Sequence, residues 1–174
     1  MTSRFRTNHL ASSMMSVQHR LITVVRGGAP TSSVDDLVFG QTHRRVESDF
    51  SAGVYRVDAQ PHRTPPGVAQ VHTLHSALGW MRSWAIDGAE AGHIYILHRR
   101  NLYRLEIGAP QREPSPGTST PALRVDCHAL PADSRGDGIL LTVWLSDDER
   151  RLPLRIDAVA DGMRILADLI DRDP

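Results

Sequence analysis

The chain has no lysine; all 20 of its basic residues are arginine. They are balanced by 20 acids, so the formal net charge is +0. A general nucleic-acid or anionic-membrane surface needs a basic excess, so this balance argues against both. The acids are mostly aspartate, and Ala, Gly and Pro are frequent. That pattern reads as the codon bias of a GC-rich genome rather than selection for guanidinium. Cysteine is nearly absent too. Cys127 stands alone, which excludes an internal disulfide but does not identify the compartment. No run of about 18 apolar residues exists, so no transmembrane helix is expected. The stretch Met1–Val17 carries Arg4 and Arg6, then Asn8 and His9, and lacks an apolar core of signal-peptide length. As written, the chain is not obviously exported. There is no Gly-x-Ser-x-Gly elbow, phosphate loop or dinucleotide fingerprint, so no catalytic residue and no cofactor is assigned.

What is present fits an ordinary globular protein. The chain has 174 residues, 40% hydrophobic and 23% charged, enough for one domain with a real core. The expected layout is a poorly ordered N-terminus over 1–13, a single β-rich domain over 14–170, and a tail over 171–174. Segment 109–121 contains Pro110, Pro114, Pro116 and Pro121 with few apolar residues, and should be a mobile loop.

The clearest local pattern is C-terminal. With Asp147–Arg150 as a four-residue loop, Leu145 faces Leu152, Val143 faces Leu154 and Leu141 faces Ile156. All six apolar side chains then share one face, as the period of two requires. Trp144 falls opposite Pro153, with Arg151 and Arg155 diagonal and in reach of its ring face. Pro153 has no N–H, so its strand is an edge there or carries a bulge. Asp161-Gly162 is a strong signal for a two-residue type I′ turn. It pairs Ala160 with Met163, Ala158 with Ile165, Ile156 with Ala167, Leu154 with Leu169 and Arg155 with Asp168. A three-stranded antiparallel meander over 139–170 follows.

Other elements are expected upstream. Segment 14–26 alternates loosely and ends at a turn over Gly27–Pro30, and Val34–Phe39 is a short strand. His43–Phe50 and Gly53–Ala59 form a hairpin, and Gln60–Gly67 is a connector. Leu74, Ala77, Leu78, Met81 and Ala85 recur at helical steps, so Thr73–Ala85 is the helix, with Thr73 as N-cap. Gly79 weakens it by about 1 kcal/mol. His93–Ile107 reads as a hairpin around a three-residue loop, Arg99-Arg100-Asn101, with Leu97 facing Tyr103 and Tyr95 facing Leu105. Ala122–Leu130 is a further strand. The fold class expected is mainly β: an antiparallel, strongly curved sheet or open barrel with one short helix packed on it.

The run Leu141-Thr142-Val143-Trp144-Leu145-Ser146-Asp147-Asp148 into Arg151-Leu152-Pro153-Leu154-Arg155-Ile156 resembles the C-terminal signature of the bacterial family named domain of unknown function 3108. Ser76–Arg82 resembles that family's Ser-Ala-Leu helix, Leu102–Glu106 its following strand, and residues 42–58 its Arg-rich strand pair. The resemblance spans about residues 10–170 and is specific at 141–156. It implies an envelope protein of Gram-negative bacteria, usually with a signal peptide and without assigned activity. It also implies a curved sheet similar to those of lipid or lipoprotein carriers. The family's leader and opening strands have no counterpart here, which suggests a shortened paralogue or a misplaced start and leaves export open. By resemblance the location is periplasmic or envelope; with the start as given it is cytoplasmic. A missing opening strand would also leave a sheet edge uncovered, open to a partner strand.

Candidate sites are few. His72 and His75 lie three apart at the helix start, with His93 and His98 on the next segment. A zinc site needs three or four converging ligands, and these spacings fit no known pattern, so surface or capping histidines are expected and no metal. Cys127 and His128 are adjacent on a strand and point to opposite faces, so Cys127 reads as a structural thiol; Asp126 and His128 share a face. Asp147 and Asp148 should cap their turn, and Arg135-Gly136-Asp137 is a chance turn. The leading function is non-enzymatic: an apolar face of Val143, Leu145, Leu154 and Ile156, with Trp80 and Trp84 on the covering helix, binds or carries an apolar small molecule or an envelope protein partner. A metal-dependent or other hydrolase gathering His72, His75, His93 or His98, and an inactive paralogue, are the alternatives.

Overall fold

The computed structural model describes residues 2–6, 17–86, 89–133, 138–160 and 163–168. The Asp161-Gly162 turn, Leu169, the Arg135–Asp137 tripeptide and the tail 171–174 lie outside the described residues. The described residues are mainly antiparallel β, with one short helix among them. Both sheets are open paths of strands. The backbone divides into two compact units, one of residues 1–76 with 97–100, the other of 77–96 with 101–174.

The six-stranded sheet runs in chain order: β1 (Thr2–Arg6), β2 (Val17–Arg26), β3 (Ala29–Phe39), β4 (Thr42–Ser51), β5 (Val54–Val57) and β6 (Gln60–Arg63). It is a simple meander because most connections are two-residue turns. Gly27 and Gly28 both take positive φ (56° and 80°), which closes β2 onto β3 with Arg26 opposite Ala29. Ala52-Gly53 closes β4 onto β5, with Ser51 opposite Val54, close to the hairpin expected there. β1 forms inside the stretch expected to lack order. Its backbone pairs with β2 (Thr2 opposite Ile22), satisfying donors and acceptors that a bare edge would leave open.

The expected connector after residue 60 instead begins with β6. Its turn uses two non-glycine residues at positive φ, Asp58 (49°) and Ala59 (66°), at roughly 1–2 kcal/mol each. Asp58 secures the turn: its N–H donates to the Glu47 carbonyl (2.9 Å), its Oδ1 accepts from the Glu47 N–H (3.2 Å), and its Oδ2 takes both Nε and Nη2 of Arg100 (2.9 and 2.6 Å). No Gly marks this turn, so its sequence signal is weak.

After β7 (Val71–His72) comes helix α1 (Leu74–Trp84). Thr73 caps it as expected. Its Oγ1 accepts from the Ser76 N–H (3.2 Å), and Ser76 Oγ accepts from the Thr73 N–H (2.9 Å). This is a reciprocal capping box with Ser in the place of Glu. Ala77, Met81 and Ala85 form the buried stripe. In the last turn, the Arg82 guanidinium donates twice to the Arg150 carbonyl (3.0 and 2.6 Å), tethering the helix end to a loop of the second sheet.

The eight-stranded sheet comprises β8 (Gly92–His98), β9 (Asn101–Ile107), β10 (Gln111–Pro114), β11 (Pro121–Pro131), β12 (Ile139–Ser146), β13 (Pro153–Ala160) and β14 (Met163–Asp168), together with β7. Its order is β14-β13-β12-β11-β9-β8-β7, with β10 paired to the free part of β11. Two expectations change here. The 109–121 segment contains β10, whose Gln111 lies opposite Arg124; Pro110 precedes the strand, and Pro114, Pro116 and Pro121 sit at its end and beyond. The β8–β9 turn has two residues, Arg99-Arg100, not three, and Ile94 and Ile96 are buried with Leu105 and Ile107, where Tyr95 was expected beside Leu105; Leu97 is buried as well. One residue fewer in a loop exchanges the faces of a strand.

The terminal meander exists, with one hairpin in the expected register and one slipped by two. In β13–β14, Ala160 opposes Met163, Ala158 opposes Ile165, Ile156 opposes Ala167 and Arg155 opposes Asp168, all as expected. In β12–β13, Val143 opposes Ile156 instead of Leu154, and Trp144 opposes Arg155 instead of Pro153. A slip of two keeps every side chain on its face, so Val143 and Ile156 still look the same way. The cause is a longer loop. Asp148 Oδ1 accepts from Ser146 Oγ (2.6 Å) and from the N–H groups of Arg150 and Arg151 (3.1 Å each). The Ser146 N–H donates to the Leu152 carbonyl (2.8 Å), so the loop closes only at Leu152. The ladder then shifts between Trp144 and Leu145, with Leu154 as the extra residue beside Pro153, the bulge that a proline there invites.

Candidate functional site

Each unit offers a different surface. In the first, the interior is polar around Asp35 of β3. Its Oδ1 lies 2.9 Å from His19 Nε2, and its Oδ2 lies 3.8 Å from His98 Nδ1, too far for a hydrogen bond. Asp35 is 6% exposed, and Oδ2 has no hydrogen-bond partner. Burial pushes the carboxyl upward, but the His19 hydrogen bond and the charges of His19, His98 and Arg99 outweigh it and hold Asp35 below the usual carboxylate range. Burial lowers His98, against an upward pull from Asp35. The void beside this cluster, lined by Ser33, Ser48, Thr73 and His98 among others, is about 10 Å³. That is room for one water and not for a substrate.

His72 and His75 are buried (7% and 5% exposed), not surface groups. Spacing alone could not show that β7 and the start of α1 pass through the interior. His75 Nδ1 meets Thr23 Oγ1 at 3.2 Å, and Thr23 donates to Thr73 Oγ1 at 3.1 Å, so His75 joins the cap network. His72 Nδ1 has no partner. Burial lowers both imidazoles, which favours their neutral forms. Among the described residues, no three of His, Cys, Asp and Glu converge to hold a metal. The same unit has a larger cavity of about 280 Å³, lined by Pro30, Phe50, Val54, Tyr55 and Val71, with Thr31, Ser51, Thr64 and Gln70 as polar groups.

The second unit carries an open groove of about 580 Å³. Arg104 and Glu106 of β9, Asp126 and His128 of β11, His93 of β8 and Leu140 of β12 line it. Charges of both signs alternate, so the groove has no strong preference for anion or cation. Asp126 is already engaged: it accepts from Arg124 Nε (3.0 Å) and Thr142 Oγ1 (2.9 Å) rather than from His128. Cys127 is buried, and desolvation first, then Asp126, pushes its thiol up to about 12. A thiol that stays protonated is no nucleophile, in keeping with a structural role.

The six residues expected to form an apolar binding face occupy three settings. Val143 and Leu145 are buried core. Leu154 and Ile156 on β13 are half-buried, as are Trp80 and Trp84 on α1, which stack on each other at 5.5 Å. None of the six lines the groove or the 280 Å³ cavity. Moving outward along the same face, exposure climbs: Leu145 is 0% exposed, Ile165 55% and Met163 66%. Leu140, Val159 and Leu166 are exposed on the opposite face. Sequence reasoning found the apolar set but not this gradient. No family model, curated protein or solved structure matches the chain. The class that the fold defines is a mainly β, antiparallel protein, with two open sheets and one helix among the described residues.

Proposed function

We propose that this protein works by binding rather than by catalysis, and that its contact surface is the outer part of the terminal meander. The supporting observation is the set of exposed apolar side chains on β14 and β13, Met163 and Ile165 on one face and Leu166 and Val159 on the other. Exposed large apolar side chains grouped in this way mark a contact surface. Val143 and Leu145 serve as the core that holds this patch rigid. The resemblance at 141–156 adds a setting, the envelope of a Gram-negative cell. It also adds a finer architecture, a sheet curved toward an open barrel that would gather the face into a concavity.

A second reading is favoured by the cavity under Pro30, Phe50 and Tyr55, whose lining suits an apolar small molecule with one polar end. An environment-sensitive apolar dye separates the two. It should brighten on the native chain, and Met163→Ser with Ile165→Ser should abolish the signal if the meander is the site. A signal that survives those changes and falls with Phe50→Ser assigns the site to the cavity. No dye signal, with no apolar molecule retained in native mass spectrometry, removes both readings.

A further inference from the structure

Resting on the partner-binding reading above, we infer that the partner is a second copy of this chain, joined antiparallel through the free edge of β14 with Leu166 on the twofold axis. Among the described residues, β13 is the only strand paired with β14, and all six residues of β14 are exposed. Its outer edge is a row of backbone donors and acceptors without a described strand beside it, and an edge strand of this kind templates another strand.

The sequence of β14 selects itself. A twofold axis normal to the sheet keeps each face continuous and pairs residues of the same parity. Centred on Leu166, it sets Arg164 opposite Asp168 of the other copy, and does so twice. Leu166 meets Leu166 between them, and Ile165 meets Ala167 on the other face. Centred instead on Ile165, it would set Arg164 against Leu166, which wastes both charges. Charges already in place extend the match. Arg164 is paired with Asp157 (2.5 Å) and Asp168 with Arg155 (3.6 Å). Across the axis, the chain of ion pairs would run from Asp157, diagonal to Arg164, through Arg164 to Asp168 and Arg155 of the second copy, alternating in sign throughout. Opposite charges facing across a sheet favour the pairing, and like charges oppose it. One short strand per copy makes a small interface, so micromolar association is expected.

Sedimentation of the full chain from about 1 to about 300 μM should show a reversible monomer–dimer equilibrium. Arg164→Asp alone and Asp168→Arg alone should each weaken it about tenfold or more, because each sets like charges opposite one another. Mixing the two variants one to one should restore association, since each then supplies what the other lacks. That restoration cannot come from folding effects, which are unchanged by mixing. Should either variant fail to fold, Leu166→Cys carries the test: mild oxidation should link it to itself, while Arg164→Cys should not link. A dimer without restoration on mixing, or equal cross-linking at both positions, overturns the register and the proposal. A strictly monomeric chain that still binds the dye through Met163 and Ile165 overturns the second copy and spares the binding reading. A monomer without dye binding removes both.

Discussion

The two units fill their interiors differently: the first mixes polar groups with Leu21, Val46, Tyr55, Val57 and Val71, and the second is almost wholly apolar. Thr23, Ser33, Asp35, Ser48, His72, Thr73, His75 and Ser76 are all buried in the first. The second buries Ile94, Ile107, Leu123, Val125, Val143 and Leu145, with Ser115 and Ser146 as its only buried polar residues among those described. An aliphatic interior is stabilised by area removed from water and tolerates small shifts. A polar interior is stabilised only while each group keeps its partner, and Asp35 Oδ2 and His72 Nδ1 have none. The first unit should therefore be the one that conditions and single hydroxyls can disturb, and the second the one that only volume can.

Four measurements break or sharpen that contrast. Leu145→Ala should have the largest effect, a loss of about 2–5 kcal/mol in chemical denaturation, because Leu145 is fully buried and leaves a cavity. A loss under about 1 kcal/mol would mean that the aliphatic core is not where the second unit's stability lies. Thr73→Ala should cost about 2 kcal/mol, from the lost cap and the lost hydrogen bond to the Thr23 hydroxyl, with Thr73→Ser recovering most of it.

Acidification should come next. The folded values of His72, His75 and His98 lie below the unfolded value of 6.5, so the unfolded chain binds more protons in that window. The stability they permit is full above pH 6.5 and falls as pH drops below it. Asp35 adds a second loss below its unfolded value of 3.8, as its depressed folded value is approached. Amide exchange at pH 5 should open β2, β3 and β7 before β11 and β12; uniform opening would dissolve the contrast. Smallest of all, Ile165→Ala should shift the dilute chain by less than about 0.5 kcal/mol, since its side chain is already in water.

Much of the fold was legible where local chemistry is decisive. The Thr73 cap, the Gly27-Gly28 turn and the β13–β14 register each rest on residues within a few positions of one another. The Asp58-Ala59 turn was not legible, because Asp58 is held there by Glu47 and by Arg100 from far along the chain. Nor was the β12–β13 register, where Asp148 gathers three donors and lengthens the loop that the acids were expected merely to cap. The apolar face was identified in the right strands, yet Val143 and Leu145 proved to be core while the accessible part lies farther out, on β14.

The sequence alone determined which side chains share a face, since the alternation of a strand is a property of its own backbone. It also determined where the chain turns wherever glycine or a cap dictates. Only the tertiary structure decided how deep each shared face lies. Depth depends on what packs above it, and that comes from elsewhere in the chain. For the same reason, two histidines that look like surface groups by spacing are interior, and two strands that share one apolar face, β12 and β14, end up one largely in the core and one in water.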